Sequence, residues 1–537
     1  MQPRTSLTLF ALLLLATAAT GQAKLEWGED FREPGNSVLT EILHVDDDHF
    51  YTLRVQARRD ISNESKVYLE KYRRERMSLS RSEEIDMSYK KKVRRFEEIL
   101  VTKGGKMHLL TSFQNRARET SYLFRQELRA RSLAPGRSLD MVLDVPGANG
   151  ETAGPFAVRI SPDSSKVVLM GDVGNETTPD GALRFATVDA DFQPLQSWSE
   201  KPISETAGFQ VEEFQVDNAG NVYLLGLTNL GKKRRRRQGP ADYFYSLRVH
   251  PADGSAARSF KFRVPNVFLS DLTFRPARDG KLVVAGFYSE TATFNVRGSA
   301  YFRLDPTTME IEAQQISEFD LEFRAAFLSE RQARRASRDA ERAEAIELPN
   351  LSLDHLVLRS DGGALLIAER FFVQRIDYNN NFGGWDPVWG WNTWNRRYYN
   401  DVDYNFVYED IFVINIRPDG TVEWANNIAK RQESIDDGGY FSSYVHAVTG
   451  TGIHFIFNDD PVNFSGTDNL RTYTPNRGGV IALATVDRDG NITAQPLGET
   501  REAGVVTRPK VCKQSGRNTL LLYGERGRKF RFGRVRF

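Results

Sequence analysis

The chain has 537 residues, and its 34 Phe and 19 Tyr far outnumber its 7 Met and single Cys. That length suits several ordinary domains or one large repeat fold, and the aromatic content favours strands over helix bundles. One cysteine, Cys512, excludes an internal disulfide framework and a Cys-rich metal site, and a formal net charge of +1 excludes a strong global preference for charged partners. Charge is nevertheless segregated. Residues 54–137 carry 22 Lys/Arg against 11 Asp/Glu, whereas residues 377–468 carry 5 against 14.

Residues 1–23 read as a cleavable signal peptide. Arg4 supplies the positive start, Leu7 to Ala19 the apolar run, and Gly21-Gln22-Ala23 the small residues before a cut at Lys24. The run is too short to span a bilayer, and no later stretch is long and apolar enough to do so. With no Cys at the cut, no lipid anchor is expected. The mature chain should be an exported monomer, periplasmic or secreted. Five N-x-S/T sequons, at Asn63, Asn175, Asn350, Asn463 and Asn491, matter only in a host that glycosylates.

After the cut, residues 24–31 form a short alternating segment with no local hairpin partner. From Val38 onward a four-strand unit recurs with a period of about 60 residues. The first unit reads VLTEILHV, HFYTLRVQA, KVYLEKY and a polar MSLSRSEEI. The third reads FAVRISPDSS, KVVLMGD, LRFATVDADF and PLQSW. The sixth contains the clearest hairpin, DIFVINIRPDGTVEWANNI, which Pro418-Asp419-Gly420 reverses tightly. The eighth, RPKVCKQSGR, NTLLLYGER and KFRFGRVRF, supplies three strands only. Second strands such as VYLLGL and LVVAGF are apolar on both faces and must be covered on both. Fourth strands are more polar and read as solvent-facing edges.

These units resemble the blades of a β-propeller over nearly all of residues 24–537. The predicted fold is all-β, a single propeller of about eight four-stranded blades, seven being the alternative count. Residues 24–31 should complete the last blade and close the ring. The Trp-Asp ending of WD40 repeats and the paired glycines of kelch are missing. The hairpin IFVINIRPDGTVEW and the later DDGGYFSSY resemble uncharacterised exported propeller proteins of Gram-negative bacteria, a likeness that implies no activity.

Long insertions fall between second and third strands, and at residues 317–350 between units five and six. In a propeller these connections emerge on one face, so one face is plain and the other elaborated. Residues 317–350 should hold a helix over 321–345, with Glu330–Arg334 and Arg335–Asp339 pairs and Phe323 and Phe327 as its docking spot. The helix either caps the ring or binds a partner. Lys232, Lys233, Arg234, Arg235, Arg236 and Arg237 form a loop tip that is either simply solvated or touches an anionic surface, lipid headgroups or acidic polysaccharide. Nucleic acid is not expected, because no aromatics interleave the run and the chain is exported.

The insertion at residues 377–410 holds Trp385, Trp389, Trp391, Trp394, Tyr398 and Tyr399 among Asn and Gly. These rings either pack the loop onto the ring or stack on sugars and peptides. Asp436, Asp437, Asp459 and Asp460 should emerge nearby, where a hard cation such as Ca²⁺ would find oxygen ligands; no other cofactor is expected. The segment at Asp487–Asn491 reads as a turn.

Catalytic patterns are sparse. The histidines at 44, 49, 108, 250, 355, 446 and 454 make no H-E-x-x-H, and His108 and His454 read as packed strand residues. No nucleophile elbow or P-loop occurs. Pro418 to Trp424 only faintly resembles the tryptophan docking repeat of quinoprotein dehydrogenases, and it occurs once. An outer-membrane barrel is disfavoured by strands apolar on both faces. The expected function is an exported binding or scaffold protein that recognises a cell-envelope or extracellular protein or glycan through its elaborated face. A propeller glycan hydrolase is the main alternative and a quinoprotein-like oxidoreductase the lesser one.

Overall fold

The computed structural model describes residues 23–35, 37–56, 66–147, 156–172, 183–200, 209–229, 243–290, 294–325, 346–377, 402–466 and 470–537. Eight antiparallel sheets follow one another along the chain, at residues 37–84, 95–146, 156–200, 209–262, 268–318, 351–428, 444–499 and 506–536. Blades 1 to 7 each run in the order first-second-third-fourth strand. Blade 8 borrows its outer strand from the other end of the chain. Lys24–Trp27 pairs antiparallel with Lys529–Arg536, Leu25 opposite Val535.

Eight hydrophobic cores hold the sheets together, one at each junction between successive blades. Blades 4 and 5, for example, share Leu225, Leu247, Phe274 and Phe302. The junction that closes the ring packs Phe50 and Tyr72 of blade 1 against Phe530 and Phe532 of blade 8, with the Tyr72 and Phe532 rings 4.7 Å apart. The molecule is therefore an eight-bladed β-propeller with no free terminal blade edge, and the ring closes as the orphan N-terminal segment suggested.

Within a blade, burial follows the sequence gradient. The second strand of blade 5, Leu282–Ser289, is buried along its whole length, while the fourth, Ile311–Glu318, alternates exposed and half-buried residues. On the plain face, aspartates tie the turns. Asp217 Oδ1 accepts the backbone N–H of Ala219, Gly220 and Asn221, and Asp487 accepts those of Asp489 and Asn491. The segment at Asp487 is thus a hairpin turn, as expected.

The structure corrects the sequence reading in several places. The second and third strands of blade 6 run on as Ala364–Asp377 and Val402–Ile416, so both ends of the 377–410 insertion form a ribbon rather than a loop. Gln432–Ile435 adds a further strand to that ribbon. The first strand of blade 8 starts earlier, as Val506–Thr507, and is broken by a 3-10 turn at Pro509–Val511 before Lys513–Gly516 resumes; Pro509 brings no N–H to the ladder. A small hairpin, Ser88–Tyr89 with Lys92–Val93, and a short helix, Thr500–Ala503, were not anticipated. Of the inserted helix, Leu321–Ala325 is described, and the remainder with Phe327 lies outside the described residues. Phe323 docks as expected, its ring 5.1 Å from Phe319 and 5.3 Å from Phe412. No helix among the described residues is long and apolar enough to cross a membrane.

Candidate functional site at the mouth of the axial channel

The first strand of every blade faces the axis and starts at the elaborated face. Residues at equal depth in these strands form a belt around the channel. Glu98, Arg159, Glu212, Asp271 and Asp354 are each the fourth residue of their strand, and Glu41 is the fifth of its own. His446 joins them as the third residue of Tyr444–Val448.

β-Bulges set this belt. The register slips in the first strands of blades 1, 4, 5 and 6 between Leu39 and Glu41, Val211 and Glu213, Leu269 and Asp271, and Leu353 and His355. In blade 2, Glu97 is the unpaired residue. A bulge inserts one residue and re-aims its neighbours, here placing an acid at each slip. The glycines of the second strands accommodate it. A Cβ on Gly286 would lie 2.0 Å from the carbonyl oxygen of Asp271, and one on Gly226 would lie 2.0 Å from that of Gln210.

Carboxyls in the belt lose hydration. Burial pushes Glu98 up to about 7, helped by the charge of Glu41, and burial pushes Asp271 up to about 7. Glu41, Glu212 and Asp354 are raised for the same reason, Asp354 also by Glu369. Asp271 accepts the Leu353 N–H at 3.3 Å, which ties blade 5 to blade 6. His355 and His446 stand with ring centroids 4.5 Å apart, and burial lowers both, His355 to about 4, so both imidazoles are neutral. His355 and Lys510 keep accessible surface although protein crowds them, as a channel position requires. Burial lowers Lys510, whose Nζ donates to Tyr408 Oη at 2.6 Å.

Beneath the elaborated face a buried polar network joins blades 6, 7 and 8. Lys430, fully buried, pairs with Glu369 at 2.6 Å, and Ser443 Oγ donates to the other oxygen of Glu369 at 2.6 Å. The Gln432 amide donates to Asn458 O at 2.8 Å, and the Asn458 amide donates to Phe441 O and Thr507 O. The Tyr444 hydroxyl donates to Asp354 Oδ2 at 2.8 Å, linking the network to the belt. Such a network is costly to leave half-satisfied, and it fixes the connection from blade 6 to blade 7.

Not all residues singled out in the sequence fall here. Trp385, Trp389, Trp391, Trp394, Tyr398 and Tyr399, and Lys232 to Arg237, lie outside the described residues. The four aspartates are described, and each has local partners. Asp436, at φ 56°, accepts the Tyr404 N–H. Asp437 accepts Ser434 Oγ and the Gly439 N–H. Asp459, 2% exposed, accepts the Asn463 amide at 2.8 Å and is pushed up to about 6 by burial. Asp460 caps the 3-10 turn Pro461–Phe464. Asp437 and Asp459 both lie in the field of Tyr473. Among the described residues no three His, Cys, Asp or Glu gather in a metal-binding arrangement. His108 and His454 are packed as expected, His108 between Thr102 Oγ1 and Arg125 Nε, and His454 against Phe537.

The sequence reading missed the belt and the His355–His446 pair. The signal was present. Both histidines sit early in first strands of adjacent units, and an acid recurs at the matching place in the first strands of five blades.

No protein-family model matches the chain, and no curated protein does. Solved structures do. The propeller domain of the Trilobed protease from Pyrococcus furiosus is 7% identical at a TM-score of 0.31, covering 74% of this chain and 96% of that one. Pyrococcus horikoshii acylaminoacyl peptidase is 7% identical at 0.33, covering 91% of this chain. Prolyl oligopeptidase B from Galerina marginata is 12% identical at 0.29, covering 62%. The chain spans 57% of the acylaminoacyl peptidase and 38% of the prolyl oligopeptidase. The eight-blade assignment stands on the strand order and the eight shared cores.

Proposed function

We propose that this protein is an exported propeller that binds a cell-envelope or extracellular partner, protein or glycan, through its elaborated face. One observation carries the reading: the two faces are built differently. The plain face is closed mainly by short aspartate-tied turns such as Asp217–Gly220 and Arg417–Thr421. The opposite face carries the long connections, the blade 6 ribbon and the open mouth of a channel belted with titratable groups. Propeller loops can vary without disturbing the blades, so an investment in one face marks a recognition surface. Linkage of Asp354 with the buried Glu369 and Lys430 in one polar network supports that face as a rigid platform.

The test is replacement of residues 380–400 by a short Gly-Ser turn, which leaves both ribbon strands intact. Capture of partners from a cell-envelope extract should fall by at least about tenfold, with the melting temperature within about 3 °C of the parent. Undiminished capture would remove that insertion from the binding face.

A further inference from the structure

The ring closure holds a buried polar cluster with more carboxyls than cations. Arg54 and Glu70 come from blade 1, and Arg508, Tyr523 and Glu525 from blade 8. Glu33 comes from the N-terminal segment just before it enters blade 1. All but Glu33 are buried, and the Glu33 side chain is 12% exposed. Glu70 matches the charge of Arg54. Its Oε1 accepts Arg54 Nε at 3.1 Å, and its Oε2 accepts the Thr52 and Tyr72 hydroxyls at 3.1 and 2.9 Å. Glu525 faces Arg508 at 3.5 Å, with the Tyr440 ring 3.6 Å from that guanidinium. Glu33 is left over: it lies 3.3 Å from Arg54 Nη1, but Arg54 is already matched. Arg528, exposed, donates to the Glu33 backbone carbonyl rather than to its carboxyl. Three carboxyls thus share two buried guanidiniums.

Tyr523 shows where the imbalance is met. Its hydroxyl oxygen lies 3.2 Å from Glu33 Oε1 and 2.7 Å from Glu525 Oε2. A phenol has one proton and donates to one of them. The other contact is a hydrogen bond only if that carboxyl carries a proton and donates in turn. Burial and the Glu525 charge raise Glu33 above the ordinary carboxyl range, in agreement with that geometry. We propose that the ring closure is a proton-held latch: one proton, shared by Glu33 and Glu525 through Tyr523, keeps the N-terminal segment docked, and its loss as pH rises loosens that segment. The two carboxyls titrate as a unit. A proton held more tightly in the folded than in the unfolded chain contributes fully at low pH, and the contribution is lost as pH rises. Without it, two carboxylates face each other across Tyr523 with one charge unmatched. The effect falls on the segment because its other ties to blade 8 are short, Lys24–Trp27 and Phe31–Arg32 against Lys529–Arg536. Within those ties Arg534 holds Glu26 down at about 2, so that pair does not titrate near neutral pH.

Hydrogen–deuterium exchange of the whole chain between pH 5 and pH 9, corrected for the intrinsic rate, tests the latch. Residues 24–32 should open at least about tenfold more often at pH 9 than at pH 5, while Val222–Asn229 in blade 4 stays protected at both. Glu33→Gln, whose amide N–H stands in for the shared proton, should remove that rise. Glu525→Gln makes the same replacement on the other partner, so a failure of one variant to fold leaves a second to measure. A flat profile in the parent, a rise that survives in a folded variant, or an equal rise in Val222–Asn229 would overturn the proposal.

Discussion

The carboxyls of the channel belt make stability depend on pH in a direction opposite to that of ordinary surface acids. Glu98 rises from its usual 4.5 to about 7 in the folded protein. The folded state therefore holds that proton more tightly than the unfolded chain, so its stabilising contribution is complete below pH 4.5 and is lost as pH rises through 7. Glu98→Gln mimics the protonated side chain. It should raise stability at pH 8 by about 1–2 kcal/mol, after allowing for water in the channel, and change little at pH 5. Chemical denaturation at the two pH values measures it; equal effects at both would show that Glu98 is not raised. Histidines pull the other way. His108, His250, His355 and His454 are each lowered to about 4 by burial, so their share of stability is present above 6.5 and is lost as pH falls toward 4. At this scale the sequence revealed side-chain chemistry but not company. Asp437 and Asp460, expected to emerge near one another as oxygen ligands, also tie a turn and cap a 3-10 segment. His355 and His446 looked unrelated, being separated by a whole blade of chain, yet their rings touch.

Strands and hairpins were the most legible elements, because alternation and Asp-Gly turns are local signals. The orphan segment at Lys24–Trp27 was placed correctly by a counting argument, eight units with one strand missing. Bulges were not legible, since an extra residue in a short alternating strand leaves no compositional mark. The glycines opposite them were the visible trace. Gly220 and Gly280 sit at turns with φ of 99° and 80°, and six residues on, Gly226 and Gly286 lie beneath the bulged strands. Gly286→Ala would drive a Cβ against the Asp271 carbonyl and should cost about 1–3 kcal/mol or more, with the blade 5 bulge forced to shift. Denaturant unfolding of that variant beside Gly254→Ala provides the check. Position 254 has positive φ, like 220 and 280, and nothing within 4 Å of its Cβ, so it isolates backbone strain from collision. A smaller loss at 286 than at 254 would contradict the bulge argument. The extension of blade 6 beyond the ring was missed for a different reason. The ladder that pairs Val373 to Asp377 with Val402 to Phe406 runs into a segment whose aromatic and Asn content reads as loop.

As a whole the molecule is a closed wheel in which every blade has two neighbours, and the first and last described strands lie in blade 8. A four-residue ladder joins the first and last described strands, and the connections between blades and between second and third strands leave the sheets on one face. That architecture was readable from repeat pattern alone, whereas the ligand was not, because a propeller face carries no fixed chemistry. Export rests on the sequence of residues 1–23 and remains part of the proposal.

Blocking each face in turn tests the central claim most directly. Cys512 is half-buried and its thiol is pushed up to about 12 by the surrounding protein, so an exposed introduced cysteine reacts preferentially with a bulky polyethylene glycol maleimide. Ser465 and Asn266 are exposed on the elaborated face, and Asp253 and Asp489 are exposed on the plain face. The account predicts that label at Ser465→Cys or Asn266→Cys abolishes capture of the envelope partner while label at Asp253→Cys or Asp489→Cys leaves it intact. Capture lost from the plain-face labels and kept with both elaborated-face labels would contradict it.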